Sequence, residues 1–341
     1  MENVVLSDSR KDELAGFMHE LNNHSSVRFV IKEHMADLTL KGKTKELKRY
    51  LMYFFVPLKY FISRKKYGII VGWQQFYALI FCFYCSLFHT KKINTVIAWN
   101  FTYKERATHF KKIYRLFMER CVCTGYLDYI HVPSSAYADK FSREFNFPRE
   151  HIIVAPFGIV DCYNKYFQLK RPEEMRNKRY FLSIGRSNRD YDFLVHAWND
   201  VDSYLVIASD KYNGENRNSK VIVKHDITAD TQYEWINNAE GLIIPIDDPN
   251  ICSGDTVLLT AMSLKKTVII TKPSVLADMY IHDSLNGLLI EKSESDLKKA
   301  VEKVLNGGTN EIATNARHDF LNYFTRDKMG IVLANLINTA V

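Results

Sequence analysis

The stretch SGDTVLLTAMSLKKTVIIT, residues 253–271, contains the residues with the clearest chemical meaning. Its first four residues form a turn of small side chains before an apolar helix, and a buried strand follows. The first amide groups of a helix lack an intrahelical acceptor, and the helix dipole makes that end positive. Gly254 would let a ligand approach the backbone, and Ser253 and Thr256 add hydroxyl donors. We therefore predict an anion site here, although Asp255 could instead cap the helix.

A second set of candidates lies in LSIGRSNRDYDFL, residues 182–194. A buried strand there ends at Gly185, and Arg186 and Arg189 follow in the turn. Two guanidinium groups at the carboxyl end of a strand can make forked hydrogen bonds to phosphate oxygens, which suits a diphosphate. Asp190 is placed to cap the helix that follows. Taken alone, both arginines could be ordinary surface residues of a polar loop.

Short apolar runs alternate with helical patterns along the whole chain, which is typical of parallel α/β domains. Each half contains six such runs, enough for one open sheet whose ligands bind at the carboxyl ends of the strands. The runs cover 3–7, 27–31, 67–73, 93–99, 129–133, 151–157, 179–185, 203–209, 221–224, 241–246, 267–271 and 287–291. We predict an α/β fold of two doubly wound Rossmann-like domains in tandem with a cleft between them.

The predicted domains are residues 1–165 and 166–325, followed by a helix at 326–341 that could pack back on the first domain. A length of 341 residues, 47% of them hydrophobic, suits two domains of ordinary size. The net charge of +7 is uneven: residues 1–165 carry 25 Lys and Arg against 15 Asp and Glu, and the remainder carries 21 against 24. A basic first half suggests that one of its surfaces faces an anionic partner.

Much of this positive charge lies in residues 41–66, where nine Lys and Arg are opposed only by Glu46. Within it, LKRYLMYFFVPLKYFI (47–62) has apolar and aromatic residues at helical spacing beside basic ones, and Pro57 could split the pattern into two helices. Such a pattern suits the surface of an anionic membrane. The alternative is a core helix with a solvated basic edge. We do not predict nucleic-acid binding, because no known binding motif accompanies the charge.

The sequence predicts a cytoplasmic protein, peripheral on the inner face of the cell membrane. It has no apolar run long enough to span a bilayer and no signal-peptide pattern at its start. The six cysteines lack the spacing of a disulfide scaffold, which fits a reducing compartment. Cys82 and Cys85 lie inside an apolar helical run without a second pair, so we predict no zinc site. No Asp-x-Asp motif is present, so no metal is expected.

The second half resembles the nucleotide-sugar domain of the two-domain GT-B glycosyltransferases, close to the retaining family called "glycosyl transferases group 1". The resemblance covers about 179–325. It rests on SIGRSNRDYDFLVHAW, SGDTVLLTAMSLKKTVIIT and MYIHDSLNGLLIEKSESDLKKAVEKVL, and on IIVAPFGIVD (152–161) before the linker. The order and spacing of these segments carry it, and it implies a nucleotide-diphosphate sugar as donor, with a UDP-sugar favoured, and no cofactor.

The resemblance also implies roles for single residues. Arg186 and Arg189 would stabilise the charge on the leaving diphosphate, and the backbone at 254–256 would share that task without a metal. The family usually has two glutamates separated by seven residues, and here those positions are Cys252 and Thr260. In the family the second contacts the ribose and the first lies near the sugar and phosphates. The implied donor-binding residues are Gly185, Asp190, Ser253, Gly254, Asp255, Thr256 and Thr260.

The acceptor side of the first half gives a weaker signal. Loops at strand ends offer Trp73, Gln74 and Asn100 as acceptor contacts, and Asp8 as a catalytic base. His19 is a further candidate, although an ordinary surface-helix histidine explains it better.

We therefore predict a metal-independent glycosyltransferase of the hexosyltransferase type, acting on a glycan acceptor such as a lipid-linked precursor of a cell-surface polysaccharide. The first alternative is a non-catalytic protein of the same fold that serves as a partner or glycan-binding subunit, which the missing glutamates favour. The second is a sugar-nucleotide epimerase, which would convert the donor without an acceptor.

Overall fold

The structure, a computed structural model, describes residues 1–35, 42–103, 111–199, 201–214, 218–227 and 231–340, with only the backbone for 42–46. The chain divides into two compact units. The first is Met1–Gly158 with Arg326–Val341, and the second is Ile159–Thr325. The division falls a few residues before the predicted boundary at 165/166, because Ile159 forms a bridge with Thr325 and the Cys162 amide bonds to the Ser263 hydroxyl at 3.1 Å.

The first unit contains a six-stranded parallel sheet in the order β2-β1-β3-β4-β5-β6. Its strands are β1 (Glu2–Ser7), β2 (Phe29–Glu33), β3 (Tyr67–Gly72), β4 (Thr95–Ala98), β5 (Tyr129–Val132) and β6 (Ile152–Val154). Its helices before the second unit are α1 (Ala15–His24), α2 (Gly42–Ile62), α3 (Gln75–Leu87), α4 (Lys111–Val122) and α5 (Ser135–Phe145). Side chains on both faces of β1 and β3 are buried, as expected for a parallel sheet covered by helices.

The second unit repeats this plan with a parallel sheet in the order β12-β11-β10-β7-β8-β9. Its strands are β7 (Tyr180–Ile184), β8 (Tyr204–Ala208), β9 (Val221–Lys224), β10 (Gly241–Ile244), β11 (Thr267–Lys272) and β12 (Leu288–Glu291). Its helices are α6 (Tyr163–Tyr166), α7 (Tyr191–Ala197), α8 (Gln232–Asn238), α9 (Asp255–Ser263), α10 (Val275–Tyr280), α11 (Glu294–Leu305) and α12 (Asn310–Tyr323). The predicted α/β class and all twelve predicted strands are confirmed.

The last helix, α13 (Arg326–Ala340), packs against α1 in the first unit. The two helices approach closely at Gly330, where a Cβ atom would lie 2.4 Å from the Phe17 carbonyl oxygen. Met329 and Leu333 pack in the same cluster as Phe17 and Leu21. Arg326 adds a hydrogen bond from its guanidinium to the Glu13 carbonyl oxygen at 2.9 Å. These contacts explain why the last helix belongs to the first unit although it follows the second in sequence.

One local prediction is wrong: α2 continues through Pro57 as a single helix. A proline inside a helix removes one backbone hydrogen bond, but its fixed φ angle is compatible with helical geometry. The buried side chains of Tyr53, Tyr60 and Phe61 pack α2 onto the core that includes α3. Packing on both sides of Pro57 therefore holds the helix together.

Candidate anion-binding site

The strand order of the second sheet reverses between β7 and β10, and the two loops that follow these strands meet there. In open α/β sheets ligands bind at such a switch point, outside the carboxyl ends of the strands. Arg189, in the loop after β7, forms an antiparallel bridge with Ile246, in the loop after β10. The Asp190 amide also donates to the Pro245 carbonyl oxygen at 2.9 Å. The Gly-Arg loop and the Ser-Gly-Asp-Thr turn are thus parts of one site.

Asn188 joins these two loops through three hydrogen bonds, and the sequence analysis did not single it out. Its side-chain amide donates to the carbonyl oxygens of Asp248 and Ile251, both at 3.0 Å, and its side-chain oxygen accepts from the Asp248 amide at 2.7 Å. Its φ angle of 55° lies in the left-handed region, which asparagine adopts more readily than most residues. An asparagine between two arginines in a strand-end turn is the sequence signal that could have revealed it.

The start of α9 is uncovered. Gly254 is the N-cap residue with φ 117°, and no side chain caps the helix. The first helical hydrogen bond runs from the Leu258 amide to the Gly254 carbonyl oxygen at 3.0 Å. Within the described ranges, the amides of residues 255–257 donate to no acceptor. The alternative that Asp255 caps this helix is wrong, because its carboxylate instead accepts from the Tyr280 hydroxyl at 3.1 Å.

The Arg189 guanidinium lies against this helix start. Its Nη1 donates to the carbonyl oxygens of Ser253 and Asn188, both at 3.1 Å, and its buried Nε has no hydrogen-bond partner in the part of the chain that the structure describes. A Cβ atom on residue 254 would lie only 2.2 Å from Nη2. No described carboxylate lies within 4.0 Å of this guanidinium. A partly buried cation and a positive helix end therefore lie together, with no described carboxylate in direct contact with the guanidinium.

Partial burial also changes the pKa of the Arg189 guanidinium. Desolvation lowers the pKa of its guanidinium, and the nearby Tyr191 and Asp255 partly oppose that change. Arginine remains protonated in proteins despite such shifts, so the cation persists. An anion that displaced water here would recover part of the desolvation cost. The geometry suits a phosphate group.

Arg186 differs from Arg189 although both were predicted to act together. Its side chain is 70% exposed, and its Nε forms an ion pair with the Asp210 carboxylate at 2.9 Å. An exposed guanidinium with an ion-pair partner contributes less to an anion site than a partly buried one without such a partner. Gly185, which precedes it, accepts a hydrogen bond from the Tyr191 hydroxyl at 2.8 Å through its carbonyl oxygen.

Asp190 and Thr260, two other predicted donor-binding residues, already have structural partners. Asp190 caps α7, as predicted, by accepting from the Phe193 amide at 2.9 Å, and its other oxygen pairs with Lys292 at 2.5 Å. Thr260 is 2% exposed and donates its hydroxyl to the Thr256 carbonyl oxygen at 2.7 Å. Neither side chain has a free donor to offer to an anion.

The remaining residues of the turn border the helix start. The Ser253 and Ser187 hydroxyl oxygens are 3.2 Å apart, and Thr256 is exposed in the first turn of α9. Cys252, one of the two residues at the glutamate positions, is partly buried with its Sγ 3.4 Å from the Asp255 carboxylate and 3.7 Å from the Met279 sulfur. Neither glutamate position carries a carboxylate.

The first sheet has its own switch point, between β1 and β3. Asp8 follows β1, and Trp73 and Gln74 follow β3, so the topology brings these predicted residues to one edge. Asp8 accepts a hydrogen bond from the Tyr53 hydroxyl at 2.8 Å. Burial, and then the Asp8 charge, raise the pKa of Tyr53, which keeps this phenol protonated as the donor.

Two of the predicted acceptor contacts have structural roles here. Trp73 is 6% exposed, and its ring packs edge-on against Phe17 with centroids 4.8 Å apart. Gln74 caps α3 by accepting from the Phe76 amide at 2.6 Å. Trp73 is buried and the side-chain oxygen of Gln74 already accepts a hydrogen bond, so both residues have little capacity to contact an acceptor.

Asn100, the third predicted contact, is held by a histidine that the sequence analysis missed. The backbone amide of Asn100 donates to His131 Nδ1 at 3.3 Å. His131 Nε2 lies 3.0 Å from the Ala155 carbonyl oxygen. Burial lowers the pKa of His131 to about 4, so the ring is neutral and carries its proton on Nε2. The Asn100 side-chain oxygen is buried without a partner among the described residues, and could accept one hydrogen bond.

His19 lies exposed on α1, 2.8 Å from Asn23.

No group of three or more potential metal-ligating side chains occurs among the described residues. Cys82 and Cys85 are buried within α3. Of the helices in the described ranges, none is both long and apolar enough to cross a membrane.

Solved structures of similar fold include several glycosyltransferases. HepE from Anabaena, in complex with UDP and glucose, superimposes with a TM-score of 0.62 at 13% identity over 99% of this chain and 100% of that one. WaaG, a glycosyltransferase involved in lipopolysaccharide biosynthesis, gives 0.58 at 13% identity over 99% and 100%. Sucrose-phosphate synthase from Thermosynechococcus elongatus gives 0.63 at 12% identity over 98% of both chains.

The chain has the GT-B glycosyltransferase fold. At these identities the similarity establishes the fold alone. No protein-family model and no curated protein matches the sequence.

Proposed function

We propose that the protein is a glycosyltransferase that moves a sugar from a nucleoside-diphosphate donor to a glycan acceptor. The observation that carries this proposal is the partly buried Arg189 guanidinium, with no described carboxylate within 4.0 Å, beside the uncovered start of α9. It lies where an open α/β sheet binds ligands. The complex of HepE with UDP and glucose, which has the same fold, supports a UDP-sugar as the donor.

In the proposed reaction the acceptor hydroxyl oxygen forms a bond to the anomeric carbon of the sugar, the bond from that carbon to the diphosphate breaks, and negative charge grows on the departing phosphate oxygens. Arg189 and the amides of residues 255–257 would stabilise that charge electrostatically, so no metal is required. Arg186 would contribute from the surface. Asp8, in the first unit, would accept the proton of the acceptor hydroxyl. We propose on this basis a metal-independent transferase, and take it to be of the hexosyltransferase type.

A non-catalytic protein of this fold is the second candidate, and one observation favours it. Cys252 and Thr260 replace the two glutamates usual in the family, and Thr260 is buried with its hydroxyl already bonded. Such a protein would keep the phosphate site but not turn over the donor. The experiment must therefore separate binding from transfer.

The test is calorimetric titration of UDP, GDP and dTDP in the presence of a chelator, followed by incubation with the sugar nucleotide of the base that binds. We expect one nucleotide to bind without metal and its sugar nucleotide to release the diphosphate slowly to water or to an added glycan. Failure of all three nucleotides to bind contradicts the proposal. Binding without release supports the non-catalytic candidate, and a changed sugar still attached to the nucleotide supports an epimerase.

We further propose that the acceptor is lipid-linked and that the protein is peripheral on the cytoplasmic face of the membrane. One face of α2 supports this: Leu47, Leu51, Phe54, Phe55 and Ile62 are between 43% and 72% exposed. We call these five residues the α2 apolar face. The opposite side of α2 packs in the core, so the helix is both a core element and an exposed apolar surface.

Charge and neighbouring residues extend this surface. Lys48 and Arg49 are exposed on α2, and Lys65 and Lys66 are exposed just after it. Phe88, 58% exposed, stacks on Phe61 at a centroid distance of 5.4 Å and extends the apolar surface. An apolar strip with basic residues nearby suits the interface of an anionic bilayer. Lys41 of the predicted basic segment lies outside the described residues.

Co-sedimentation with vesicles tests this surface. In the double variant Leu51→Ser/Phe55→Ser, binding to phosphatidylglycerol-containing vesicles should fall about tenfold or more, because two large side chains no longer enter the lipid interface. The matched control is Leu285→Ser/Leu321→Ser, which changes two exposed leucines of the second unit. Equal binding by the two variants, or no vesicle binding by the unchanged protein, would contradict the proposal.

A further inference from the structure

A shallow cavity of about 480 Å³, broadly open to solvent, lies beside the edge strand β2 in the first unit. This volume lies in the ordinary range of small-molecule sites. Its walls come from three elements: Lys11 in the segment after β1, Lys32 to His34 at the end of β2, and Lys59 and Tyr60 on α2. The site described in the second unit does not account for it.

Among the described residues, the lining of the cavity carries more positive than negative charge. Lys32 is neutralised by Glu2, whose carboxylate lies 2.8 Å from its Nζ. Lys11 and Lys59 form no ion pair with any described residue, and both are exposed at the cavity. Glu33 is the one carboxylate among the lining residues, so the two lysines outweigh it. An anion is the ligand that this lining would attract.

His34 gives the cavity a neutral hydrogen-bonding wall. Its Nε2 lies 3.0 Å from the Tyr60 hydroxyl, and its ring packs edge-on against the Tyr60 ring with centroids 5.7 Å apart. Burial, and then the charge of Lys59, lower the pKa of His34. The histidine therefore adds no further permanent charge to the lining.

The cavity wall is connected to the proposed catalytic base. The His34 amide donates to the Ser7 carbonyl oxygen at 2.8 Å, directly before Asp8 in the chain. The Tyr77 hydroxyl donates to the His34 carbonyl oxygen at 3.1 Å, and the Tyr77 ring packs edge-on against Tyr53, the residue that bonds to Asp8. The cavity wall is thus joined to Asp8 by one backbone hydrogen bond to the preceding residue and by the packed rings of Tyr77 and Tyr53.

We propose that this cavity binds a phosphate or diphosphate group of the acceptor, with Lys11 and Lys59 as its direct contacts. The inference rests on the proposed function, because it assigns the acceptor of that reaction to the anionic class. Both a lipid diphosphate and a soluble sugar phosphate carry this group. The α2 apolar face favours the lipid, since the helix that supplies Lys59 also exposes Leu51, Phe55 and Ile62.

The test is binding of inorganic pyrophosphate to the full chain carrying Arg189→Ala, which removes the main side-chain contact proposed for phosphate in the second unit. Adding Lys11→Ala/Lys59→Ala should weaken the remaining pyrophosphate affinity about tenfold or more, the usual loss for hydrogen bonds to charged groups. The matched control is Lys91→Ala/Lys140→Ala, which removes two exposed lysines of the same unit away from the cavity and should leave the affinity unchanged. Thermal unfolding confirms that each variant is folded.

No pyrophosphate binding in the Arg189→Ala background, or an equal loss in both lysine pairs, would overturn the inference. Geranyl diphosphate identifies the source: tighter binding than pyrophosphate, lost with Leu51→Ser/Phe55→Ser, supports the lipid acceptor. Equal binding supports a soluble phosphate. The outcome is independent of the nucleotide titration, because UDP can fail to bind the unchanged protein while pyrophosphate still reports this cavity.

Discussion

Replacing Arg189 by alanine is expected to weaken binding of the nucleoside diphosphate by about ten- to a hundredfold, the range for hydrogen bonds to charged groups. Replacing Arg186 should change it by about fivefold or less, as for an exposed ion pair. The difference follows from their surroundings. Arg189 is partly buried against the start of α9, and its buried Nε has no partner among the described residues, whereas Arg186 is exposed and bound to Asp210.

The chemistry of the guanidinium can be separated from its charge. Arg189→Lys keeps a cation but loses the forked donor geometry, so it should recover only part of the affinity lost in Arg189→Ala. Lysine also cannot reproduce the Nη1 bonds to the Ser253 and Asn188 carbonyl oxygens. Both variants should be measured by calorimetry at one salt concentration, because exposed electrostatic terms are screened by salt.

The Arg189→Ala variant needs a control for loop structure, because the Nη1 hydrogen bonds of Arg189 also join the two loops of the site. Asn188→Ala removes three hydrogen bonds between the same loops without removing the guanidinium. If Asn188→Ala weakens nucleotide binding as much as Arg189→Ala, the arginine acts by holding the loops and not by contacting the phosphate. If Arg186→Ala has the larger effect, the assignment of the buried arginine is wrong.

The sheets were predictable because parallel α/β strands are buried on both faces and appear as continuous apolar runs. Val4–Leu6 and Ile269–Ile270 are such runs, and each is fully buried. The meeting of the Gly-Arg loop with the Ser-Gly-Asp-Thr turn was also predictable, because both follow strands of one parallel sheet. The strand order, which places β7 beside β10, cannot be read from local patterns.

What the sequence could not show is how each polar side chain is paired. Arg186 and Arg189 are three residues apart and chemically identical, yet Asp210 neutralises only the first. Trp73 follows a strand, which is a typical position for a residue that contacts an acceptor. Its ring instead packs against Phe17 in the core. These outcomes depend on residues distant in sequence, so periodicity and spacing contain no trace of them.

Gly254→Ala should destabilise the second unit and weaken nucleotide binding together. Gly254 has φ 117°, where an L-residue costs at least about 1–2 kcal/mol. In addition, the new methyl group would lie 2.2 Å from the Arg189 Nη2 atom, so the guanidinium must move. The free energy of unfolding from denaturant titration and the nucleotide affinity from calorimetry measure the two effects.

Gly125→Ala is the control, because it also places a side chain at a positive φ angle but without the collision. Gly125 has φ 78°, and a Cβ atom there would meet nothing within 4 Å. It should therefore lose stability through the backbone alone and bind the nucleotide normally. Equal losses of unfolding free energy in the two variants, with unchanged nucleotide affinity, would contradict the close approach of Arg189 to the helix start.

A double-mutant cycle isolates the contact between the two residues. In the Arg189→Ala background the guanidinium is absent, so Gly254→Ala should cost only the backbone strain and should no longer change nucleotide affinity. The coupling free energy is the difference between the sum of the effects of the two single variants on nucleotide affinity and the effect of the double variant. That coupling would mean that Gly254 is glycine because the Arg189 guanidinium occupies the volume of its side chain at the phosphate site.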